Sequence, residues 1–313
     1  MKTAFLFPGQ GSQKVGMVRD LYEKYDSVKK LIKEADDTLG FSISQMMFDG
    51  PDTELMKTEF TQPAILTASV CCLTVLKEHG IIPAVAAGHS LGEYSALVAA
   101  DSLSFADAVH TVHLRGKFMQ EAVPLGKGAM AAVIGLDPTK ITDICSSVST
   151  DDKPVEAVNF NCPGQTVIAG ETSAVEKACE ALKEGGAKRA IMLKVSAPFH
   201  SVLMEPAAVR LKEVLDTIEI KDASIPVIAN VNAKAETEGD EIRKNLIAQA
   251  AHAVHWEESV HTLIADGAGI MIECGPGTVL SGFMRKIDKS IPTHHAEDIA
   301  TIEETVNALK EAR

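Results

Sequence analysis

A run of small apolar residues that leads directly into a glycine-flanked serine constrains the fold of this chain of 313 residues more than any other feature. Residues 85–100 read VAAGHSLGEYSALVAA, so a short buried strand at 85–87 is followed at once by a helical pattern over 91–100. A strand that passes into a helix through a tight turn begins a crossover connection, which joins parallel strands. The stretch therefore predicts an α/β fold with a parallel sheet.

The same alternation of strand and helix recurs on both sides of this stretch. The predicted elements are a strand at 3–7, helices at 17–36, 60–79 and 104–122, and later a helix at 205–217, a strand at 227–229, helices at 240–250 and 256–265, a strand at 270–273 and a helix at 278–286. We predict that 1–125 and 197–313 form one α/β core of the hydrolase-like kind.

A different pattern occupies residues 126–196. The predicted order there is strand 129–134, helix 138–147, strands 155–159 and 166–169, helix 173–183 and strand 189–195. This βαββαβ order is the ferredoxin-like arrangement, and about 70 residues suit a small domain. The sequence therefore predicts a ferredoxin-like domain at 126–196, inserted into the core.

Charge and cysteine content narrow the class of protein. The net charge of −13 and the pI of about 5.2 argue against nucleic acid as the main partner. The six cysteines are scattered, the first residues do not form a signal peptide, and no apolar run reaches the ~18 residues of a membrane span. We expect a cytoplasmic protein with free thiols and no membrane partner.

Residues 88–92, Gly-His-Ser-Leu-Gly, match the G-x-S-x-G pattern of a nucleophile elbow. A serine on a sharp strand-to-helix turn leaves no room for side chains two residues on either side, and glycine at both places removes the clash. The helix that starts at Leu91 directs its N–H groups towards the serine, which favours a developing anion. The pattern predicts that Ser90 is a nucleophile; the alternative is a loop with incidental glycines.

A serine nucleophile needs a base and an oxyanion hole. His200 follows a predicted strand, at the edge of the sheet where ligands bind, whereas His89 adjoins the serine and should point away from it. The N–H of Leu91 is one oxyanion donor, and the loop 9–11 after the first strand suits the second. That loop is not a phosphate-binding loop, since no Gly-Lys-Ser/Thr follows, but a plain tight turn is the alternative.

Arg115 lies at the edge of the apolar stripe of the helix 104–122. A partly buried guanidinium requires an anion, and a carboxylate is its best bidentate partner. The alternative is an arginine that extends to a surface glutamate. Two histidine pairs, at 110/113 and 252/255, have i,i+3 spacing but no third ligand, so we predict no metal site.

Taken together, these stretches resemble the malonyl-CoA:acyl carrier protein transacylases of bacterial fatty-acid synthesis. The resemblance covers almost the whole chain, and the set of motifs in this order is specific. The motifs are FPGQGSQ at 7–13, TQPA at 61–64, GHSLGEYSAL at 88–97, RGKFMQEA at 115–122, APFHS at 197–201 and ECGPGTVLSG at 273–282.

The resemblance implies a role for each candidate residue. Ser90 would be the acylated nucleophile, His200 its base, and the backbone N–H groups of Gln10 and Leu91 the oxyanion hole. Arg115 would pair with the free carboxylate of the malonyl group. Malonyl-selecting relatives have a leucine-like residue after the serine and Phe-His at the base, as this chain does. No metal or redox cofactor is implied.

In this family a main-chain carbonyl near a late glutamine orients the histidine, and Gln249 is the best match for that glutamine. Relatives usually continue Gln-x-x-x-Pro-Val-Arg-Trp, whereas this chain reads QAAHAVHW over 249–256. The departure concerns the backbone behind the histidine and leaves the serine, the histidine and the arginine untouched.

The predicted reaction is a two-step transfer of malonyl from malonyl-CoA to Ser90, and then to the phosphopantetheine thiol of acyl carrier protein. The carrier is acidic, so we expect a local basic patch, with Lys188, Arg189, Arg285 and Lys286 as candidates. The alternatives are an acyltransferase of a polyketide pathway, a serine esterase or thioesterase, and a non-catalytic module that binds the carrier.

Overall fold

The computed structural model describes residues 2–195 and 197–311. Met1, Ser196, Ala312 and Arg313 lie outside the described residues, and with them the outer limits and the 196/197 junction of the predicted domains. The strands of the described part, in chain order, are β1 (Lys2–Phe7), β2 (Val85–Gly88), β3 (Gly128–Ile134), β4 (Val155–Cys162), β5 (Gln165–Glu171), β6 (Arg189–Met192), β7 (Val227–Ile228), β8 (Ala235–Glu236), β9 (Ala268–Cys274) and β10 (Thr293–Ala296).

Helices separate most of these strands along the chain. They are α1 (Arg19–Lys24), α2 (Asp26–Leu39), α3 (Ile43–Asp49), α4 (Asp52–Leu55), α5 (Thr58–Glu78), α6 (Gly92–Ala99), α7 (Phe105–Glu121), α8 (Pro138–Val148), α9 (Thr172–Glu184), α10 (Glu205–Leu215), α11 (Gly239–Gln249), α12 (Trp256–Ala265), α13 (Val279–Ile287) and α14 (Ile299–Glu311), with a 3₁₀ turn at Val202–Met204.

The larger sheet has the order β10-β9-β1-β2-β7-β8. All its pairs are parallel except the last, where β8 runs antiparallel to β7. The predicted parallel-sheet α/β core is therefore confirmed. The strands β8 and β10 and the helix α14 were not predicted from the sequence.

Helices cover both faces of the larger sheet because side chains of a strand alternate between its faces. In β1, Phe5 and Phe7 lie in one hydrophobic cluster, while Ala4 and Leu6 lie in another with Trp256. Since both faces are buried, β1 is apolar from Ala4 to Phe7. The polar groups that follow β1 and β2 in sequence lie at one edge of the sheet, where the strands end.

The smaller sheet is antiparallel and has the order β4-β5-β3-β6. This separate α+β unit agrees with the predicted ferredoxin-like arrangement; its exact limits, 126–196, stay a prediction. On one face Ala131 and Ile168 pack in the cluster formed with α8 and α9. On the other face Met130 and Ala169 join the cluster of the large core, so the small sheet packs directly against the core.

Helix α5 is long and apolar enough to cross a membrane by length and composition, and 83% of its most apolar window is buried inside the protein. Thr, Ser and Gln residues divide the helix, so it contains no long uninterrupted apolar run. Its burial is that of a central helix of the core.

Candidate active site

Ser90 lies on the turn between β2 and α6, with a φ of 53° in the left-handed region. A Cβ on Gly88 would lie 1.9 Å from the carbonyl carbon of Gly92, and a Cβ on Gly92 would lie 2.1 Å from the carbonyl oxygen of Phe7. Both contacts are impossible for a real side chain. The two glycines are therefore required by the turn that raises Ser90 above the sheet edge.

His200 lies directly opposite Ser90. Its Nε2 is 2.7 Å from Ser90 Oγ, and its Nδ1 is 2.8 Å from the backbone carbonyl oxygen of Gln249. A carbonyl only accepts, so Nδ1 carries the proton and Nε2 is free to accept the hydroxyl proton of Ser90. The pair has the geometry of a nucleophile and its general base.

Burial, and after it the positive charge of Arg115, together lower the pKa of His200 to about 3. The imidazole therefore stays neutral over the whole physiological range and keeps its acceptor nitrogen. A base that carries no proton at rest is ready to take one from the serine.

Arg115 is buried at only 1% exposure, deeper than the edge position predicted from the helical periodicity. Its Nη1 donates to Gln62 Oε1 at 2.8 Å, and its Nη2 donates to Gln249 Oε1 at 2.8 Å and to Ser90 Oγ at 3.2 Å. Among the described residues it makes no salt bridge. A buried cation held by neutral oxygens beside the nucleophile is suited to receive the anionic end of a ligand.

The predicted oxyanion donors lie at the same place. Gln10 and Leu91 line a cavity of about 120 Å³ together with Ser90, Arg115 and His200. In the described part of the chain, neither the N–H of Gln10 nor that of Leu91 has an acceptor. Two N–H groups of residues that line the cavity beside a serine are suited to stabilise an oxyanion formed there.

Gln249 is the last residue of α11, and its own carbonyl is the one that His200 contacts. The segment after it lacks the proline and arginine of relatives but is fixed by other contacts. Val254 exchanges two backbone hydrogen bonds with β4, and His255 stacks on Phe160 with ring centroids 5.2 Å apart. The small sheet thus supports the backbone that orients His200.

Three residues of the site were not identified from the sequence. Asn230, just after the short strand β7, accepts the N–H of Ser90 at 2.7 Å through Oδ1. Gln62 accepts from Arg115, and Glu93 accepts from Asn230 and Gln249. The position of Asn230 at a strand end was the one available sequence signal.

Among the described residues, the other candidates make no hydrogen bond to Ser90, although His89 lines the same cavity. His89 Nε2 pairs with Asn161 Oδ1 at 2.8 Å, so its ring points away from Ser90, as predicted. The side chains of the four predicted patch residues, Lys188, Arg189, Arg285 and Lys286, are exposed and do not line the cavity. Within 2–195 and 197–311, no group of three or more His, Cys, Asp or Glu is placed to hold a metal ion.

Comparison with known proteins gives consistent results. The family model described as the acyl transferase domain matches residues 4–308. The malonyl CoA-acyl carrier protein transacylase of Bacillus subtilis is 52% identical over 310 residues, which is 99% of this chain and 98% of that protein. The crystal structure of an acyl carrier protein S-malonyltransferase from Vibrio cholerae has a TM-score of 0.95 and 46% identity, and covers 97% of this chain and 100% of that one.

A further structure is a malonyl-transacylase in complex with a type II PKS acyl-carrier protein. It has a TM-score of 0.95 and 45% identity, and covers 98% of this chain and 100% of that one. With a family model over nearly the whole chain and relatives of this identity and coverage, the chain belongs to the malonyl CoA-acyl carrier protein transacylase family of acyl transferases.

Proposed function

We propose that the protein transfers the malonyl group of malonyl-CoA to the phosphopantetheine thiol of an acyl carrier protein, through a malonyl ester of Ser90. The observation that carries the proposal is the buried guanidinium of Arg115, 3.2 Å from Ser90 Oγ. In a malonyl ester only a carbonyl carbon and a methylene separate Oγ from the free carboxylate. The carboxylate therefore reaches Arg115 while the acyl carbon is on the serine.

In the first half-reaction His200 Nε2 takes the hydroxyl proton as Ser90 Oγ attacks the thioester carbonyl of malonyl-CoA. The N–H groups of Gln10 and Leu91 stabilise the tetrahedral oxyanion. The C–S bond then breaks, and the CoA sulfur takes the proton from His200. Malonyl-Ser90 remains, and neutral His200 is restored.

The second half-reaction repeats these steps in the opposite sense. The carrier thiol gives its proton to His200 and its sulfur attacks the ester carbonyl of malonyl-Ser90. The C–O bond breaks, and Ser90 Oγ recovers the proton from His200. In both steps His200 transfers the proton, and the N–H groups of Gln10 and Leu91 donate hydrogen bonds to the oxyanion. The phosphopantetheine arm belongs to the acyl carrier protein.

The test is intact-protein mass spectrometry after incubation with malonyl-CoA or with acetyl-CoA. We expect a stoichiometric malonyl adduct that maps to Ser90 and is absent from S90A, with little acetyl adduct. Absence of an adduct from the wild-type protein would overturn the proposal. The isolated malonyl-enzyme is then offered water or holo carrier protein, and release to water as fast as to the thiol would identify a hydrolase instead.

The carrier protein is proposed to dock at a basic patch formed by Lys188, Arg189, Arg285 and Lys286. Two observations support one patch. Ile134 pairs with Arg189 on one side and with Gln165 on the other, and Lys286 Nζ donates to Gln165 Oε1 at 3.2 Å. These contacts support the proposal that the two basic pairs, far apart in sequence, lie near the same end of the small sheet and together attract an acidic carrier.

Reversal of these charges to glutamate should raise the KM for the carrier while leaving the rate of Ser90 acylation by malonyl-CoA unchanged. An exposed basic pair elsewhere, Lys29 and Lys30 on α2, provides the matched control. If the KM for the carrier is the same in the patch variant and in the control variant, the carrier does not dock on this surface. Parallel assays with fatty-acid and polyketide carriers identify which kind is served.

A further inference from the structure

Glu93 lies in the first turn of α6, three residues after the nucleophile, and its side chain is fully buried. One of its carboxyl oxygens, Oε2, accepts the backbone N–H of Asn230 at 2.8 Å and the side-chain Nε2 of Gln249 at 3.1 Å. The residue is shielded from solvent, and among the described residues its carboxylate makes no hydrogen bond to Ser90 Oγ or to the His200 ring. Its two partners are therefore the route by which it could influence the site.

Each of those partners holds the backbone of the elbow. The Oδ1 of Asn230 accepts the N–H of Ser90 at 2.7 Å, and its Nδ2 donates to the carbonyl of Gly88 at 2.7 Å. The Nε2 of Gln249 donates to the carbonyl of Ser90 at 2.8 Å. Both polar backbone groups of a serine with positive φ are thus held by side-chain amides of two residues that Glu93 holds in turn, Asn230 through its backbone N–H and Gln249 through its side chain.

Gln249 also connects Glu93 to the substrate-facing cation. Its Oε1 accepts Arg115 Nη2 at 2.8 Å while its Nε2 donates to Glu93 and to Ser90. The amide is therefore oriented at one end by a cation and at the other by a carboxyl oxygen. Loss of the carboxyl oxygen would leave Nε2 of this amide with the Ser90 carbonyl as its one acceptor, so the amide and the guanidinium it contacts would be held less firmly.

We propose that Glu93 is a positioning residue of the acyl transfer, whose single oxygen Oε2 holds Asn230 and Gln249 so that the Ser90 turn and Arg115 keep their relative geometry. This inference rests on the proposed function. A strained backbone conformation persists only where the surrounding contacts over-determine it, and the φ of 53° at Ser90 is of this kind. A misplacement of about 1 Å at a reacting atom costs about 100-fold in rate.

The role needs an acceptor oxygen rather than a negative charge. The other carboxyl oxygen, Oε1, has no hydrogen-bond partner within the described residues. A second buried carboxyl, Glu236, lies near enough that its charge adds to the effect of burial and raises the pKa of Glu93 to about 8. A neutral group with one acceptor oxygen, such as a glutamine amide, should therefore serve in its place.

The experiment compares E93Q with E93M, two side chains of similar length of which only glutamine has the acceptor. The readout is the single-turnover rate of Ser90 acylation by malonyl-CoA, normalised to folded protein. We expect E93Q within about fivefold of the wild type and E93M slower by about 100-fold, with a smaller change in KM. If E93M does not fold, E93D replaces it, since a carboxylate shortened by one methylene cannot reach both donors.

Glu273 provides the matched control for loss of a buried carboxylate. It is fully buried and accepts the N–H groups of Leu280 and Ser281 at the start of α13, away from the Ser90 contacts. We expect E273M to lower the unfolding temperature without changing the acylation rate of the folded fraction. E93M as fast as the wild type, or E93Q as slow as E93M, would overturn the role of Glu93. A wild-type protein that forms no adduct would instead overturn the proposed function.

Discussion

The Nη2 of Arg115 lies 3.2 Å from Ser90 Oγ, the same oxygen that lies 2.7 Å from His200 Nε2. A fully buried cation therefore adjoins both the nucleophile and the base. In the proposed reaction it would bind the carboxylate of the malonyl ester, and its positive charge lowers the pKa of His200. The proposed role of Arg115 therefore links the choice of substrate and the pKa of the base through one side chain.

Substitution of Arg115 by alanine should abolish the preference for malonyl-CoA over acetyl-CoA. A charge-assisted pair with the substrate carboxylate is lost, which should lower kcat/KM for malonyl-CoA by about 100-fold. Acetyl-CoA has no carboxylate, so its kcat/KM should change little. Steady-state kinetics with both thioesters check this, and an equal fall for the two substrates would make Arg115 a purely structural residue.

The pH dependence of the acylation step should change in the same variant. The pKa of His200 is lowered to about 3, first by burial and then by Arg115, so the wild type keeps a neutral base down to that pH. Removal of the cation raises the pKa of His200, and protonated imidazole cannot accept the serine proton. In R115A, the loss of kcat/KM on acidification should therefore begin at a higher pH than in the wild type, while burial, the larger cause, still keeps the pKa of His200 below its ordinary value. Equal pH profiles in R115A and the wild type would show that Arg115 does not lower the pKa of His200.

Much of the fold and the centre of the site could be predicted because their signals are local. The alternation of strands and helices predicted the parallel core, and the G-x-S-x-G spacing predicted the turn at Ser90. Arg115 was selected from the periodicity of one helix. The depth at which Arg115 is buried could not be predicted in this way. It depends on α5 and α11, which supply Gln62 and Gln249 from distant parts of the chain.

The residues that support the site were harder to predict for the same reason. Asn230 follows a strand of two residues, too short for any periodic pattern, and its bond to Ser90 spans 140 positions. Glu93 lies in a helix whose residues are nearly all buried, so no polar face distinguishes it. Such partners become visible only when the tertiary contacts are known.

Gly88 should tolerate no side chain. In G88A the new Cβ would lie 1.9 Å from the backbone of Gly92, and the turn would have to open. We expect a loss of at least about 4 kcal/mol of unfolding free energy, or failure to fold, because overpacking is added to backbone strain. Urea unfolding and Ser90 acylation are the measurements.

Gly282 in α13 is the matched control, since a Cβ there would meet nothing within 4 Å. Alanine is the better helix former, so G282A should be neutral or up to about 1 kcal/mol more stable. A stable, active G88A would contradict the steric requirement for glycine in the elbow.

Replacement of Glu236 by glutamine should reduce the loss of stability at alkaline pH. Burial raises the pKa of Glu236 to about 7, so the folded state binds this proton more tightly than the unfolded state does. The contribution of such a group to the unfolding free energy is fully present below its pKa in the unfolded state, and it is lost as the pH rises through the folded-state pKa of about 7. Glutamine keeps the acceptor that Asn245 Nδ2 contacts at 2.6 Å and does not titrate. Between pH 5 and pH 8.5, E236Q should therefore lose about 2 kcal/mol less unfolding free energy than the wild type, as measured in urea.

Exposed Glu238 in the same segment is the control, and equal losses in E236Q, E238Q and the wild type would show that Glu236 does not hold a proton in the folded state.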